Sequence, residues 1–195
     1  MKSLILTMFF TINLSASSIV QAEQWKAKAA LWKLQERYQI GDSIPVIILI
    51  QSFSKAWNIE ASLLAAQVTI ESNWNVCALS KSGAQGIFQI LPSTAREFLE
   101  KESYYDPIDN AFVSTGYFKK ALTANSNNLM KALAFYHGGP NRLIHGEKTA
   151  DYVAKVLKRY NEYNKNGWLL KVPISIRRQN CSHLIKAKNK VVTDD

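Results

Sequence analysis

Residues 61–70 read Ala-Ser-Leu-Leu-Ala-Ala-Gln-Val-Thr-Ile, and the first charged side chain after them is Glu71. The stretch has the length of a helix, and because it contains no charge, we expect that helix to lie inside the core. Positions 61, 64 and 68 precede Glu71 by ten, seven and three residues, so their apolar side chains share its side of the helix. The segment therefore predicts a core helix that ends in one carboxyl group pointing from an apolar stripe.

Two physical effects should keep the Glu71 carboxyl group protonated near neutral pH. Burial disfavours the ionised form, and the C-terminal end of a helix carries a partial negative charge that does the same. A carboxylic acid that stays protonated at that pH can serve as a general acid. The residues alone leave a second interpretation open, in which Glu71 lies beyond the helix end and turns to water.

The rest of the chain supports one mainly helical domain. Its 195 residues are 47% hydrophobic and 20% charged, which is ample for a single core and excludes a chain disordered throughout. Residues 75–91 carry Gly83 and Gly86 and predict a turn-rich, β-like segment between helices. Hydrophobic periodicity predicts helices at about residues 25–39, 43–57, 61–70, 92–101, 106–124, 129–136 and 149–164.

Residues 1–22 are expected to be a cleaved signal peptide. Lys2 is a short basic start, residues 4–14 are mostly apolar, and residues 20–22 read Val-Gln-Ala, a small-x-small site before Glu23. The alternative, a transmembrane anchor, is disfavoured because polar residues interrupt an apolar run that is shorter than the ~20 residues a span needs. We therefore expect a periplasmic or secreted protein with no stable membrane anchor after cleavage.

The remaining chain divides into three parts by composition. We expect an N-terminal helix within residues 23–42, the domain over residues 43–167, and a basic tail over residues 168–195. Because termini that are not tied to the core usually fray, the tail is interpreted as a solvated or disordered end, and a specific binding arm is the alternative. A bridge from Cys181 to Cys77 would tie part of it down. Its basic residues are Lys171, Arg177, Arg178, Lys186, Lys188 and Lys190.

Charge and cysteine content narrow the partners and the cofactors. The net charge of +9 indicates nucleic acid, an anionic membrane or an anionic polymer such as a cell wall, and without a recognised motif nucleic acid is disfavoured. Export would place Cys77 and Cys181 where a disulfide is allowed, and two unrelated thiols are the alternative. Neither cysteine lies in a CxxC motif or at metal-ligand spacing from a histidine, so we expect no metal site.

Four segments occur in an order and spacing that is typical of one family. Residues 71–75 read Glu-Ser-Asn-Trp-Asn, Ser80 follows, residues 83–95 read Gly-Ala-Gln-Gly-Ile-Phe-Gln-Ile-Leu-Pro-Ser-Thr-Ala, and residues 134–139 read Ala-Phe-Tyr-His-Gly-Gly. With these motifs, residues 43–165 closely resemble the soluble-type lytic transglycosylases (SLT domain), enzymes that cleave the glycan strands of peptidoglycan. The resemblance implies a lysozyme-like fold, with the glycine-bearing segment beside the active-site cleft, and no cofactor.

The resemblance also implies a role for each matching residue. Glu71 is similar to the family's catalytic acid, which later acts as a base, and Tyr136 is similar to the tyrosine that faces it. The glycines suit a close backbone turn beside a flat sugar, because glycine tolerates positive φ and leaves room. For Tyr152, core packing is the alternative to sugar contact. The candidate substrate-binding residues are Ser80, Gly83, Ala84, Gly86, Gln89, Tyr136 and Tyr152.

The resemblance implies an unusual mechanism as well. Most glycosidases use two carboxyl groups, whereas this motif supplies Glu71 alone. In the family the N-acetyl oxygen of muramic acid attacks the anomeric carbon, and the product carries a 1,6-anhydro ring. This chain departs from the common pattern at His137, where Asn is usual, and at Lys148, where some relatives have a second Glu.

Two other functions remain compatible with the sequence. One is a single-Glu muramidase of the goose-lysozyme type, which would use water and leave a reducing end. The other is a non-catalytic factor that binds the wall and holds an assembly in it. Small relatives often open the wall for secretion, conjugation or pilus machines, so the resemblance implies such a machine as a partner beside peptidoglycan itself.

Overall fold

The computed structural model describes residues 22, 26, 29–30, 32–99, 101, 104–140, 146–181 and 183–184. Helices α1 to α6 span Val46–Trp57, Ala61–Ser72, Pro92–Ala95, Pro107–Ala124, Leu129–Gly138 and Gly146–Asn166. A 3-10 helix spans Trp168–Lys171, and strands β1 and β2 span Ser43–Pro45 and Ser175–Arg177. Residues 32–37 are also helical. The predicted mainly helical fold class is confirmed.

Helix α2 occupies the centre of the core. Its residues 62–68 are all buried, including Leu64 and Val68, which are fully enclosed. The helix packs against α1 on one side and along α6 on the other. A helix enclosed on all sides has no face for a charge, which explains the uncharged stretch that precedes Glu71.

Local signals in the sequence determine where the helices around α2 begin and end. Helix α2 ends at Asn73, which adopts a left-handed conformation (φ 49°) and donates its backbone N–H to the Thr69 carbonyl. Helix α4 begins at Pro107, after the Asp106 carboxylate accepts the backbone N–H groups of Ile108 and Asp109. The predicted start of that helix at residues 106–107 is confirmed.

The segment before α1 differs from the prediction. The sequence predicts a helix start at Ser43–Pro45, but these residues form strand β1, which pairs antiparallel with β2. Ile44 lies opposite Ile176 in this two-stranded sheet, and both side chains are buried. Three residues are too few to show an alternating pattern in the sequence, so the strand depends on its distant partner.

The first part of the predicted basic tail is folded, which corrects the expectation of a solvated or disordered end. After the 3-10 helix, β2 closes onto β1, and the Arg178 Nε atom lies 2.8 Å from the Asp106 carboxylate. Cys181 is almost fully buried and forms a disulfide with Cys77, with their Cα atoms 5.4 Å apart. Residues 1–21 of the predicted signal peptide and the tail residues Lys186, Lys188 and Lys190 lie outside the described residues.

Helix α3 is shorter than predicted. It ends at Ala95, whereas the sequence predicts a helix to about residue 101. The backbone N–H groups of Glu97 and Phe98 donate to carbonyls three residues back, so the chain continues in tight turns. A proline at the start of a helix therefore indicates where the helix begins and says little about its length.

Residues 75–91, the glycine loop, form the predicted turn-rich segment. Isolated bridges pair Leu79 with Gln85 and Gln85 with Ile90, and positive φ angles occur at Gly83, Gly86 and Gln89. The loop connects the end of α2 to the start of α3. It therefore follows soon after Glu71, which lies at the end of α2.

No helix in the described ranges is both long and apolar enough to cross a membrane.

Candidate active site

Glu71 lies at the meeting point of α2 and the glycine loop. It is the second-last residue of α2, and the next residue, Ser72, donates its hydroxyl to the Ile87 carbonyl at 2.7 Å. This bond holds the middle of the loop against the helix end. The carboxyl group is therefore attached to a rigid core helix, and the loop beside it carries most of the predicted substrate-binding residues.

Burial raises the pKa of Glu71 from 4.5 to about 8. The Tyr152 hydroxyl opposes this shift by a smaller amount, because a donor near the carboxylate favours the ionised form. Near pH 7 the carboxyl group is consequently mostly protonated. The Glu71 residue is partly exposed, so its carboxyl group is neither enclosed in the core nor turned fully to water.

Tyr152 approaches Glu71 from α6. Its side chain is buried, and its hydroxyl has no hydrogen-bond partner at full geometry among the described residues. The ring stacks on His137, with the centroids 4.5 Å apart and the planes 20° from parallel. The His137 Nδ1 atom lies 3.2 Å from the Thr149 hydroxyl, which orients the imidazole from the same helix as Tyr152.

Tyr136 approaches the same carboxyl group from α5. Its hydroxyl donates to the Phe88 carbonyl at 3.0 Å and accepts a hydrogen bond from Ser114. Burial raises the pKa of Tyr136 well above 10, and the nearby Glu71 raises it further. Tyr136 is therefore neutral, and its own proton is committed to the loop backbone.

The first half of the glycine loop is closed by Ser80. The Ser80 hydroxyl accepts the backbone N–H of Ala84 at 2.9 Å, and the Ser80 carbonyl accepts that of Gly83 at 3.0 Å. The Ser80 N–H donates in return to the Ala84 carbonyl. These bonds form a tight turn that Gly83, at φ 90°, can adopt without strain.

The second half of the loop is held by Gln89 and Gly86. The Gln89 amide donates to the carbonyls of Ala78 and Gly86, at 3.1 and 3.0 Å. A side-chain carbon added at Gly86 would lie 2.5 Å from the Asn110 amide nitrogen and 2.9 Å from the Tyr104 carbonyl oxygen. Gly86 is therefore required both by its φ of 76° and by the close approach of α4.

Asn110 of α4 holds the glycine loop through hydrogen bonds to its backbone. Its amide donates to the carbonyls of Gln85 and Tyr104, both at 2.8 Å, and its oxygen accepts the Phe88 N–H at 2.8 Å. The Gln85 side chain accepts the Tyr104 N–H at 2.9 Å in turn. All of these groups are buried, so the loop has a fully hydrogen-bonded foundation.

The structure brings the predicted residues into two groups. Glu71 and Tyr136 both lie close enough to Tyr152 to raise its pKa, and Glu71 also raises the pKa of Tyr136. Ser80, Gly83, Ala84, Gly86 and Gln89 shape the loop, which reaches the first group through the carbonyls of Ile87 and Phe88. Within the described ranges, no group of three or more His, Cys, Asp or Glu residues is arranged to hold a metal ion.

Two residues of this site are not identified by the sequence patterns. Ser114 supports Tyr136 from inside α4, where a serine gives no special signal. Gln67 lies one helical turn before Glu71 and is 1% exposed, and neither polar atom of its amide has a partner in the described part of the chain. A single amide in an otherwise uncharged stretch that is mostly apolar, four residues before the candidate acid, was the signal that could have identified it.

The part of the chain that matches known sequences includes the residues of this site. The chain matches the family described as "Transglycosylase SLT domain" over residues 48–168. It is 34% identical over 112 residues to the "Transglycosylase" of Enterobacteria phage PRD1, covering 57% of this chain and 42% of that protein. It is 28% identical over 145 residues to a "Soluble lytic murein transglycosylase" of Escherichia coli, covering 67% of this chain and 20% of that protein. The chain thus spans less than half the length of either relative.

Solved structures share the fold. The lytic transglycosylase Slt of Pseudomonas aeruginosa, an inactive mutant, matches 60% of this chain and 23% of its own with a TM-score of 0.54 and 22% identity. The 70 kDa soluble lytic transglycosylase of Escherichia coli matches 84% of this chain and 33% of its own with a TM-score of 0.55 and 22% identity. These likenesses confirm the lysozyme-like fold that the resemblance implied.

Proposed function

Because this chain belongs to the transglycosylase SLT domain family, we propose that it is a lytic transglycosylase that cleaves the glycan strands of peptidoglycan. The bond cleaved would be the β-1,4 bond between N-acetylmuramic acid and N-acetylglucosamine. The observation that carries the proposal is the Glu71 carboxyl group, held on a buried helix with its pKa raised to about 8. A group protonated at working pH is what the departing sugar oxygen requires.

In the first step, Glu71 donates its proton to the glycosidic oxygen as that bond breaks. The N-acetyl oxygen of the muramic acid forms a bond to the anomeric carbon and takes the place of an enzyme nucleophile. Among the described residues, the pKa of Glu71 is shifted by burial and by the Tyr152 hydroxyl, and no second carboxyl group contributes to the shift. This environment supports substrate assistance over a pair of carboxyl groups.

In the second step, Glu71 acts as the base. It removes the proton from the sugar's own primary hydroxyl group, whose oxygen attacks the anomeric carbon and displaces the N-acetyl oxygen. Glu71 is again protonated, no water is consumed, and the product carries a 1,6-anhydro ring. A muramidase would place water at the same carbon and leave a reducing end.

The glycine loop is proposed to hold the sugar beside Glu71. Ser80, Gly83, Ala84, Gly86 and Gln89 form its turns, and the foundation on Asn110 keeps its backbone in place. Preorganised polar groups stabilise a transition state without reorganising during the reaction. Tyr136 supports the loop at the Phe88 carbonyl, and Tyr152 faces the carboxyl group.

We further propose peptidoglycan in the periplasm or outside the cell as the place of action, after removal of residues 1–22. A secretion, conjugation or pilus machine is the proposed partner for local opening of the wall. Pull-down of the mature chain from cells that assemble such a machine, with mass-spectrometric identification of the bound proteins, tests this part separately.

The reaction is tested on purified sacculi. We expect the mature protein to release muropeptides with 1,6-anhydro ends, about one water lighter than lysozyme products by mass spectrometry. Glu71→Gln should lower the release rate by about 10²–10⁴-fold or more, because it removes the proton that is transferred. Glu162→Gln, an exposed carboxylate on α6 paired with Arg159, is the matched control and should leave the rate unchanged. Reducing ends from the wild type would favour the muramidase instead, and near-normal turnover by Glu71→Gln would remove its catalytic assignment.

A further inference from the structure

Gln67 is a buried amide whose hydrogen bonds are not accounted for. It is 1% exposed, and both its nitrogen and its oxygen lack partners within the described residues. Placing an unpaired amide in a core is unfavourable compared with an apolar side chain of the same length. A group that costs stability at this position calls for a role other than packing.

The position of Gln67 relates it to the candidate acid. Residues four apart share one face of a helix, so Gln67 lies directly before Glu71 along α2. Helix α2 packs against α6, which carries Tyr152, whose buried hydroxyl has no partner at full geometry among the described residues. The Tyr152 hydroxyl is close enough to both Gln67 and Glu71 for each of them to influence its pKa.

The two tyrosines near Glu71 differ in where their protons go. Tyr136 donates to the Phe88 carbonyl, so its proton is not available to the carboxyl group. Tyr152 makes no such bond within the described ranges, and its hydroxyl proton can point toward Glu71. A hydroxyl rotates freely unless its oxygen is also held, and the Gln67 amide is the donor placed to hold it.

We propose that Gln67 is a positioning residue that acts on Glu71 through Tyr152, a role that rests on the proposed function of Glu71. When Glu71 is ionised, the Gln67 amide donates to the Tyr152 oxygen and the Tyr152 hydroxyl donates to the carboxylate, two bonds that the described residues do not make at full geometry in the resting protein. Glu71 becomes a carboxylate once it has given up its proton, and this relay gives that carboxylate a donor in the core. By holding Tyr152 in place, Gln67 stabilises the Glu71 carboxylate, which is the form that acts as a base and which burial disfavours.

Two other aromatic groups lie beside the pair of tyrosines near Glu71. His137 contacts Tyr152 through its ring face, and its Nδ1 atom faces Thr149. Tyr117 packs on the far side of Tyr136, with ring centroids 5.7 Å apart. Burial and Tyr152 are the causes that shift the pKa of Glu71, so a change at Gln67 is expected to reach Glu71 through Tyr152.

The test is an NMR titration of the Glu71 carboxyl carbon in isotopically labelled full-length protein, without substrate. Gln67→Met and Tyr152→Phe should each raise the pKa of Glu71 by roughly half a unit to one unit, the size of one hydrogen bond to a carboxylate. The double variant should show no further rise, because both changes break the same relay. Gln51→Met, an exposed glutamine on α1, is the matched control and should leave the titration unchanged.

The proposal would be overturned if Gln67→Met left the pKa of Glu71 unchanged. It would also be overturned if Gln67→Met raised that pKa by the same amount in the Tyr152→Phe protein as in the wild type. Gln67→Met should melt at or above the wild-type temperature, because it removes an unpaired amide. If it does not fold, Gln67→Leu takes its place in the same cycle. The titration needs no turnover, so it can fail while the product analysis on sacculi succeeds, and the reverse also holds.

Discussion

Two clusters of polar side chains, one at the glycine loop and one around Glu71, differ in how completely their hydrogen bonds are made. The loop cluster, centred on Asn110 and Gln85, uses its side-chain donors and acceptors on the backbone of the glycine loop and the segment after it. The site cluster of Gln67, Glu71 and Tyr152 leaves a buried amide and a buried hydroxyl without full partners in the described part of the chain.

The two clusters are expected to contribute differently to the free energy of unfolding. A satisfied buried network stabilises the fold and specifies one loop conformation. An incomplete one is unfavourable in the resting protein and becomes favourable only when a charge or a substrate supplies the missing partner. Changes in the loop cluster should therefore lower stability, whereas changes in the site cluster should lower activity with little loss of stability.

The largest expected loss of stability results from Asn110→Ala. It leaves the Tyr104 carbonyl and the Phe88 N–H without the Asn110 partner, whereas the Gln85 carbonyl keeps the Ile90 N–H. Each unsatisfied group costs about 1–3 kcal/mol, so a loss of about 2–6 kcal/mol is expected. Urea denaturation of both proteins measures the difference. Asn128→Ala, which removes an exposed helix cap, is the matched control at about 1 kcal/mol. Equal losses in the two variants would contradict the special status of the loop cluster.

The next effect concerns the disulfide that begins in the glycine loop. Replacing Cys77 and Cys181 together by serine should lower the free energy of unfolding by about 2–4 kcal/mol, because the bridge closes a loop with a sequence separation of 104. Thermal melting with and without reductant checks this. The wild type should lose stability under reductant and the double variant should not. Intact mass that shows two free thiols in exported protein would count against the bridge itself.

The last effect is a gain of stability from Glu71→Gln that depends on pH. The pKa of Glu71 is higher in the folded state than its ordinary value of 4.5, so its contribution is fully present below pH 4.5 and is lost as pH rises toward about 8. The glutamine does not titrate, so the variant should match the wild type at low pH and exceed it by a margin that grows toward pH 8, by about 1.4 kcal/mol for each unit by which the pKa is raised. Thermal melting should show this as a growing difference in Tm, at about 2–4 °C per kcal/mol.

Melting curves of both proteins across this pH range measure the difference. Glu162→Gln, on the exposed face of α6, should show no comparable trend, because exposed ion pairs contribute little. A stability gap that does not change between pH 4.5 and 8 would show that the burial of Glu71 is not what separates the two proteins.

The helical part of the fold was predictable because each signal is local. The Asp106-Pro107 start, the uncharged stretch before Glu71 and the glycines of the loop each act within a few residues. Strands β1 and β2 were not predictable from such signals. Each has three residues, and each is stabilised by a partner at the other end of the domain.

The motifs predict which residues form the candidate site, but they do not predict the contacts between those residues. The sequence does not distinguish a tyrosine whose hydroxyl proton is already donated to the backbone, such as Tyr136, from one whose proton is not, such as Tyr152. That distinction depends on Phe88 and Ser114, which belong to other elements. The motifs do not indicate a role for Gln67, because an amide inside an apolar run is not part of any of them.

Strand β1 also bears on the order in which the chain folds. Its Ser43 hydroxyl bonds to Ser175, 132 residues later, so this pairing requires nearly the whole domain to be present. Closing so long a loop costs entropy before any contact compensates it, and contacts of this kind form late. We expect the helices to assemble first and the sheet to close last. Until it closes, Ile44 and Ile176 each lack the strand partner that lies opposite them in the folded protein.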